Sequence, residues 1–262
     1  MLGTIPHLRR VDESRLAMLT ALEPDAPVAE AYRIAATHLR FALPDGMPST
    51  LLVTSVNPAE GKSTSTINLA LSKVQMGAKV LLIDADLRRP TVHTKMGLTN
   101  QRGLAEYVDG KADIASATQH VPGIRGLYVI TAGHLRPDPL RALSSPQMRE
   151  LLTMAKKHFD IILVDAPPLT GFADTLMLTS LVDATVIVTD QEHIDRKQLM
   201  SSLRQLQRVK QNVAGFLVVK AQREVTSARY YDRYRESAPA ADSSSLSGGG
   251  INLGKSRVGS DG

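Results

Sequence analysis

Two groups of residues in this chain are spaced for chemistry: a lysine and hydroxyls that follow a glycine, and aspartates that end apolar runs. The first group is Ser55-Val56-Asn57-Pro58-Ala59-Glu60-Gly61-Lys62-Ser63-Thr64, which follows the run Leu51–Ser55 and opens a stretch of helical period. A glycine-containing loop between a strand and a helix gathers backbone N–H groups with no intrahelical partner, and the helix dipole adds positive potential there. Such a loop wraps an anion, and the pattern reads as a phosphate-binding loop. Lys62 is placed to reach the β- and γ-phosphates of a nucleotide. Ser63 is placed to offer its hydroxyl to magnesium, a hard ion that takes oxygen ligands. Val56 stands where the usual pattern has its first glycine.

The second group is acidic. Asp84 and Asp86, one residue apart, end the run Val80-Leu81-Leu82-Ile83, and Asp165 ends Ile161-Ile162-Leu163-Val164. Extended geometry puts Asp84 and Asp86 on one face. Acids buried together without a cation are costly, so they are expected to face the nucleotide and its metal. Asp165 matches the position that holds magnesium or its coordinated water in P-loop nucleotidases. An aspartate after an apolar strand is common on its own; the three sites together carry the weight.

Elements must bring these residues together. Six short apolar runs read as buried parallel strands: Leu51–Ser55, Val80–Ile83, Leu127–Ile130, Ile161–Val164, Ala184–Thr189 and Val213–Val219. Between them, Lys62–Met76, Ser145–His158 and Arg196–Val209 space apolar residues three and four apart and suit crossover helices. The expected fold is α/β, a doubly wound, mostly parallel sheet of the P-loop NTPase kind. A further helix is expected over Val28–Leu43, stopped near Pro44, Asp45 and Gly46. From Ser237 onward the residues are largely Ser, Ala and Gly, a composition expected to be disordered.

Composition excludes several alternatives. The 262 residues contain no cysteine, so disulfides, thiolate metal sites and cysteine nucleophiles are ruled out. No apolar run approaches the roughly 18 residues of a membrane span. Met1–Arg10 lacks the order of a secretory signal, and a cytoplasmic location is expected. The net charge is +5, with a basic excess concentrated between Arg196 and Arg235. Aromatic side chains that single-strand binders interleave with such charges are scarce before Tyr230, which argues against nucleic acid as a partner.

The series NPAEGKST, VLLIDADLRRP and IILVDAPP resembles, in order and spacing, the Walker A, A-prime and B motifs of bacterial tyrosine kinases, the capsule and exopolysaccharide autokinases. Arg88 and Pro90 after the acid pair are the more specific marks. Gly133–Ser145 resembles that family's segment before the Walker B strand, Glu30-Ala31-Tyr32-Arg33 its N-terminal oligomerisation helix, and the opening LGTIPHL the stretch after the second membrane helix of fused members. The resemblance implies an ATP- and magnesium-dependent protein-tyrosine kinase. Asn57, Pro58, Ala59, Glu60, Gly61, Lys62, Ser63 and Thr64 would hold the nucleotide. Ser63, Asp86 and Asp165 would organise the metal, and Asp84 would accept the tyrosine's proton. A carboxylate near pKa ~4 cannot strip a phenol near ~10 in the ground state, so Asp84 would orient the hydroxyl and take its proton late.

Acceptors would be Tyr230, Tyr231 and Tyr234, which lie within five positions of one another just before Ser237. The implied layout is a juxtamembrane-like segment at 1–27, the kinase domain at 28–228, the tyrosine cluster at 229–236 and the tail at 237–262. The implied partners are further copies of the chain, joined through Glu30 and Arg33, a membrane-spanning chain-length regulator, fused or separate, and a cognate tyrosine phosphatase. The setting would be the inner face of the cell membrane.

Three positions depart from the family pattern: Ala59 replaces a glycine of the loop, Ala36 a basic residue of the first helix, and Lys220 an asparagine that contacts adenine. His38, on that helix, reads as a packing or surface residue. One rival is a partition or positioning ATPase of the same branch, although Asn57 stands where such proteins carry a signature lysine. Another is a degenerate kinase kept as a nucleotide-bound scaffold.

Overall fold

Strands built of leucine, isoleucine and valine can be covered on both faces, and this is how the sheet forms. The computed structural model describes residues 1–8, 11–44, 46–135 and 137–221. The tyrosine cluster, the tail and the proposed boundary between 228 and 229 lie outside them. Eight strands, β1 (Gly3–Pro6), β2 (Thr50–Ser55), β3 (Val80–Asp84), β4 (Thr118–His120), β5 (Leu127–Ile130), β6 (Ile161–Asp165), β7 (Ala184–Asp190) and β8 (Val213–Ala221), make one sheet in the order β1-β8-β7-β2-β6-β3-β5-β4. Every pairing is parallel except that of β4 with β5.

Every residue of β2, β3, β6 and β7 is buried. Alternation divides them between two apolar layers. Leu51, Val53, Leu82 and Leu163 face one layer with Ile67 and Leu71, whereas Leu52, Leu81, Ile83 and Ile162 face the other with Leu151 and Leu152. The helices that cover them, Lys62–Gln75 and Pro146–Ala155, lie where the 3.6-residue spacing predicts them, as does Arg196–Arg208. The first long helix runs Pro27–His38, with proline in its first turn, and a 3-10 turn at Leu39–Phe41 ends it before Pro44.

Six of the strands are those expected from sequence. The other two, β1 and β4, are edge strands of four and three residues, too short for a period to show. Residues 1–27, the juxtamembrane-like segment of the expected layout, contribute β1 and the short helices Glu13–Ala17 and Leu19–Leu22 to the same unit as the sheet. A Cβ on Gly3 would lie 3.2 Å from that of Ala35, and His38 Nδ1 lies 2.6 Å from the Leu2 carbonyl oxygen, so the first long helix packs on β1. His38, exposed at the end of that helix, is a surface residue that ties it to β1. Among the described residues no helix is long and apolar enough to cross a membrane.

The order of strands fixes the site. Because β6 lies between β2 and β3, its last residue, Asp165, is paired in register with Val53 on one side and Asp84 on the other. The loops leaving the C-terminal ends of these three strands converge, where ligands bind in open α/β sheets.

Candidate active site

Backbone shape comes first. Gly61, just before the helix that Lys62 opens, has φ 82°, and Ala59 has φ 64°. Glycine enters this left-handed region freely, whereas for alanine it costs about 1–2 kcal/mol. Ala59 thus takes up the conformation for which the family's glycine is suited. Behind it, the Glu60 carboxylate accepts the amides of Val56 and Asn57, each at 2.9 Å. Ser55 Oγ donates to the Asn57 carbonyl at 2.7 Å, and Thr170 Oγ1 donates to that of Val56 at 2.7 Å. Burial pushes the Glu60 carboxyl upward, against the two amides that favour its charged form.

In front of the loop five side chains meet. Lys62 Nζ is 2.7 Å from Asp86 Oδ2 and 3.7 Å from Asp165 Oδ2. Ser63 Oγ donates to Asp165 Oδ2 at 2.5 Å, and Thr66 Oγ1 lies 3.3 Å from Asp165 Oδ1. Asp84 is fully buried; its oxygens accept the amides of Asp86 and Val92, each at 3.1 Å. Asp86 Oδ1 in turn accepts the Arg89 amide at 3.0 Å, which fixes the turn after β3.

Electrostatics follow from this crowding. Burial pushes Asp84 well above the usual carboxylate range, and the neighbouring charge of Asp165 adds to it. Burial raises Asp165 as well, with Lys62 and Ser63 opposing. For Lys62 burial alone would lower the ammonium; Asp165 and Asp86 outweigh it and hold it above its ordinary value. Three carboxylates thus share one ammonium, an excess of negative charge with only oxygen donors. Such a donor set fits magnesium better than a soft metal, and Ser63, Asp86 and Asp165 are the residues that could hold it.

Comparison with known proteins gives this arrangement a family. Residues 47–221 match the family model described as ParA: NUBPL iron-transfer P-loop NTPase. The tyrosine-protein kinase YwqD of Bacillus subtilis is 35% identical over 213 residues, covering 80% of this chain and 90% of that protein. The chain belongs to the bacterial tyrosine kinases. Another member, the tyrosine-protein kinase etk of Escherichia coli, is 31% identical over 82% of this chain, which spans only 30% of that protein's length. The solved kinase domain of that enzyme superposes with a TM-score of 0.77 at 30% identity, covering 86% of this chain and 92% of the domain. McdA of Cyanothece shares the fold alone, with a TM-score of 0.55 at 18% identity. The iron transfer named for the family model does not carry over as cluster chemistry, because this kinase-family chain has no cysteine to hold a cluster.

Around the bacterial tyrosine-kinase motifs the structure adds partners. Arg88, the mark that follows the acid pair, is held by Asp174, its Nε 2.5 Å from Oδ2, and the Phe172 ring lies 4.2 Å from its guanidinium carbon. No spacing in the sequence points to Asp174 or Phe172. Thr66 was legible in principle, four residues after Lys62 and so on the same helix face. Lys220, in place of the family's asparagine, has φ 53° and sends Nζ to Asp190 Oδ2 at 2.6 Å. Its strand borders the loop, since a Cβ on Gly61 would lie 3.6 Å from Val219 Cγ2. Glu30 and Arg33 pair with each other at 2.6 Å on the first helix, and Arg33 also reaches Gln75 at 3.4 Å. Tyr230, Tyr231 and Tyr234 lie outside the described residues.

Proposed function

We propose that this chain transfers the γ-phosphoryl group of ATP to protein tyrosines, its own Tyr230, Tyr231 and Tyr234 among them, with one chain serving the site of another in an oligomer. The observation that carries the reading is the meeting of Lys62, Ser63, Asp86 and Asp165 at the ends of three adjacent strands. Loop residues Asn57 to Thr64 surround the phosphates; the Asn57 amide is taken by Glu60 and Pro58 has no N–H, so the amides from Ala59 onward cradle the anion, and Lys62 leaves Asp86 for the β- and γ-oxygens. Magnesium, when bound, neutralises charge on the transferring group. Ser63, Asp86 and Asp165 are oriented for that ion by their own hydrogen bonds.

Asp84 is the proton acceptor in this reading. Each of its oxygens accepts one amide and keeps a second lone pair, and its raised pKa brings it nearer to a phenol than an ordinary carboxylate. Lys220, at the end of β8, borders the base. Contacts through Glu30 and Arg33 join the copies. A membrane-spanning regulator of polysaccharide chain length, fused or separate, holds the kinase at the inner face of the membrane, and a tyrosine phosphatase resets the cluster. Each phosphate added brings about −1.5 to −2 charges and so drives the tyrosine segment from an acidic site.

A mixing experiment tests the transfer between chains. A Lys62→Met chain with intact tyrosines is incubated with magnesium, ATP and a chain carrying Tyr230→Phe, Tyr231→Phe and Tyr234→Phe, and phosphotyrosine is mapped by mass spectrometry. Phosphate on the Lys62→Met chain at the cluster is expected; an unmodified cluster sinks the proposal. The rival nucleotide switch, which shares the fold of McdA, predicts ATP hydrolysis with no labelled tyrosine in either chain.

A further inference from the structure

An acid inside an anion-binding loop has the wrong sign. Glu60 sits one residue before Gly61 and two before Lys62, and it is 4% exposed. Its charge repels a triphosphate, and the neighbouring Asp190 carboxylate adds to the negative charge near the loop. Lys220, 2.6 Å from Asp190, offsets the second of these acids but makes no bond to Glu60. Something must therefore favour the glutamate, and its hydrogen bonds show what.

The ladder between β2 and β7 ends at Ser55, paired with Val188, so the amides of Val56 and Asn57 emerge from the sheet and need acceptors elsewhere. Glu60 supplies both from one oxygen, Oε2, at 2.9 Å each. A charged acceptor taking two amides makes bonds roughly twice as strong as neutral ones. Geometrically the bond spans the loop: it ties the entry at 56 and 57 to residue 60, and the residues enclosed in the turn are Pro58 and Ala59, the alanine at φ 64°. Hydroxyls from Ser55 and Thr170 hold the carbonyls of the same two entry residues. The entry limb is thus satisfied from behind, which leaves the later amides for the anion.

We propose that Glu60 is the positioning residue of the phosphate loop, its carboxylate fastening the entry to the apex and holding Ala59 in the left-handed conformation that turns the later amides toward the phosphates. The inference rests on the nucleotide-binding part of the function proposed above, not on tyrosine transfer. It predicts the reverse of simple electrostatics. Removing a negative charge beside the phosphates should tighten ATP binding if charge alone acts, and should weaken it if the fastening acts.

The test is direct binding of a fluorescent ATP analogue with magnesium to the full chain. Glu60→Ala is expected to raise Kd about tenfold, as though only a tenth of the loops were ordered. Glu60→Gln keeps an oxygen that can accept both amides and is expected to stay within about threefold of the natural chain. In an Ala59→Gly background, where the turn is no longer strained, the loss on Glu60→Ala should shrink. A role in bulk stability alone would show no such coupling, and the double variant also carries the test if Glu60→Ala melts early. The proposal is overturned if Glu60→Ala binds as tightly as the natural chain or more tightly, if Glu60→Gln is as weak as alanine, or if the Ala59→Gly background changes nothing. A natural chain that fails to bind ATP would instead overturn the nucleotide-binding function on which the inference rests.

Discussion

At the residue scale the site is a balance between one ammonium and three carboxylates, and its least comfortable member is an alanine. Ala59 holds φ 64° where a Cβ is disfavoured, so Ala59→Gly should remove that strain at the expense of a more flexible unfolded chain. The net expected is a gain of up to about 1 kcal/mol, read from urea unfolding at unchanged m-value. Destabilisation by glycine would mean that the loop does not hold that conformation. Lys62, Ser63 and the three aspartates were legible from residue type and spacing because the chemistry dictates both. Asp174, which holds Arg88, and Asp190, which holds Lys220, were not, because each is brought in from a distant part of the chain by the fold.

At the element scale two junctions make measurable claims. Gly103 leads the helix Leu104–Val108 onto the end of β5, with the Leu104 amide 2.7 Å from the Thr131 carbonyl. A Cβ there would lie 2.2 Å from that carbonyl and 2.5 Å from the Gly133 nitrogen, both backbone atoms that cannot turn aside. Gly103→Ala should therefore cost about 1–3 kcal/mol, seen as a lower urea midpoint. The second junction is Tyr32, whose hydroxyl lies 3.2 Å from Ser65 Oγ and joins the first long helix to the one that carries Lys62. Burial pushes its phenol up to about 12. The folded chain then keeps a proton that the unfolded chain releases near pH 10, so stability is lost as pH rises from 10 toward 12, by about 2–3 kcal/mol. The stability difference between the natural chain and Tyr32→Phe should shift in favour of phenylalanine over that window and stay flat below it; a parallel pair of curves would contradict the burial. Long helices and buried strands showed their periods in the sequence. β1 and β4 did not, since edge strands of three or four residues are set by their neighbours.

At the scale of the whole molecule the sheet order explains why the phosphate loop, the acid pair and Asp165 act together, and residues 1–27 belong to the unit that holds them. That membership was hidden, because the resemblance of the opening residues to a juxtamembrane stretch gave no hint that Gly3–Pro6 would pair with β8. In the proposed function the acceptor tyrosines lie within residues 222–262. Ending the chain after Ala221 should leave ATP binding within about twofold, since it keeps Val219 beside Gly61 and Lys220 on Asp190, and should abolish self-labelling. A truncated chain that still labels itself would place the acceptor among the remaining tyrosines.

The central claim is that phosphoryl groups held at Lys62 end on tyrosine rather than in water. The most direct measurement follows γ-labelled ATP with the purified chain and magnesium, with and without the cytoplasmic part of a membrane activator, and compares label on phosphotyrosine with label in free phosphate. The account predicts label on tyrosine that disappears with Lys62→Met and with Asp84→Asn, while Asp84→Asn still binds ATP. Free phosphate without phosphotyrosine, under both conditions, would contradict it.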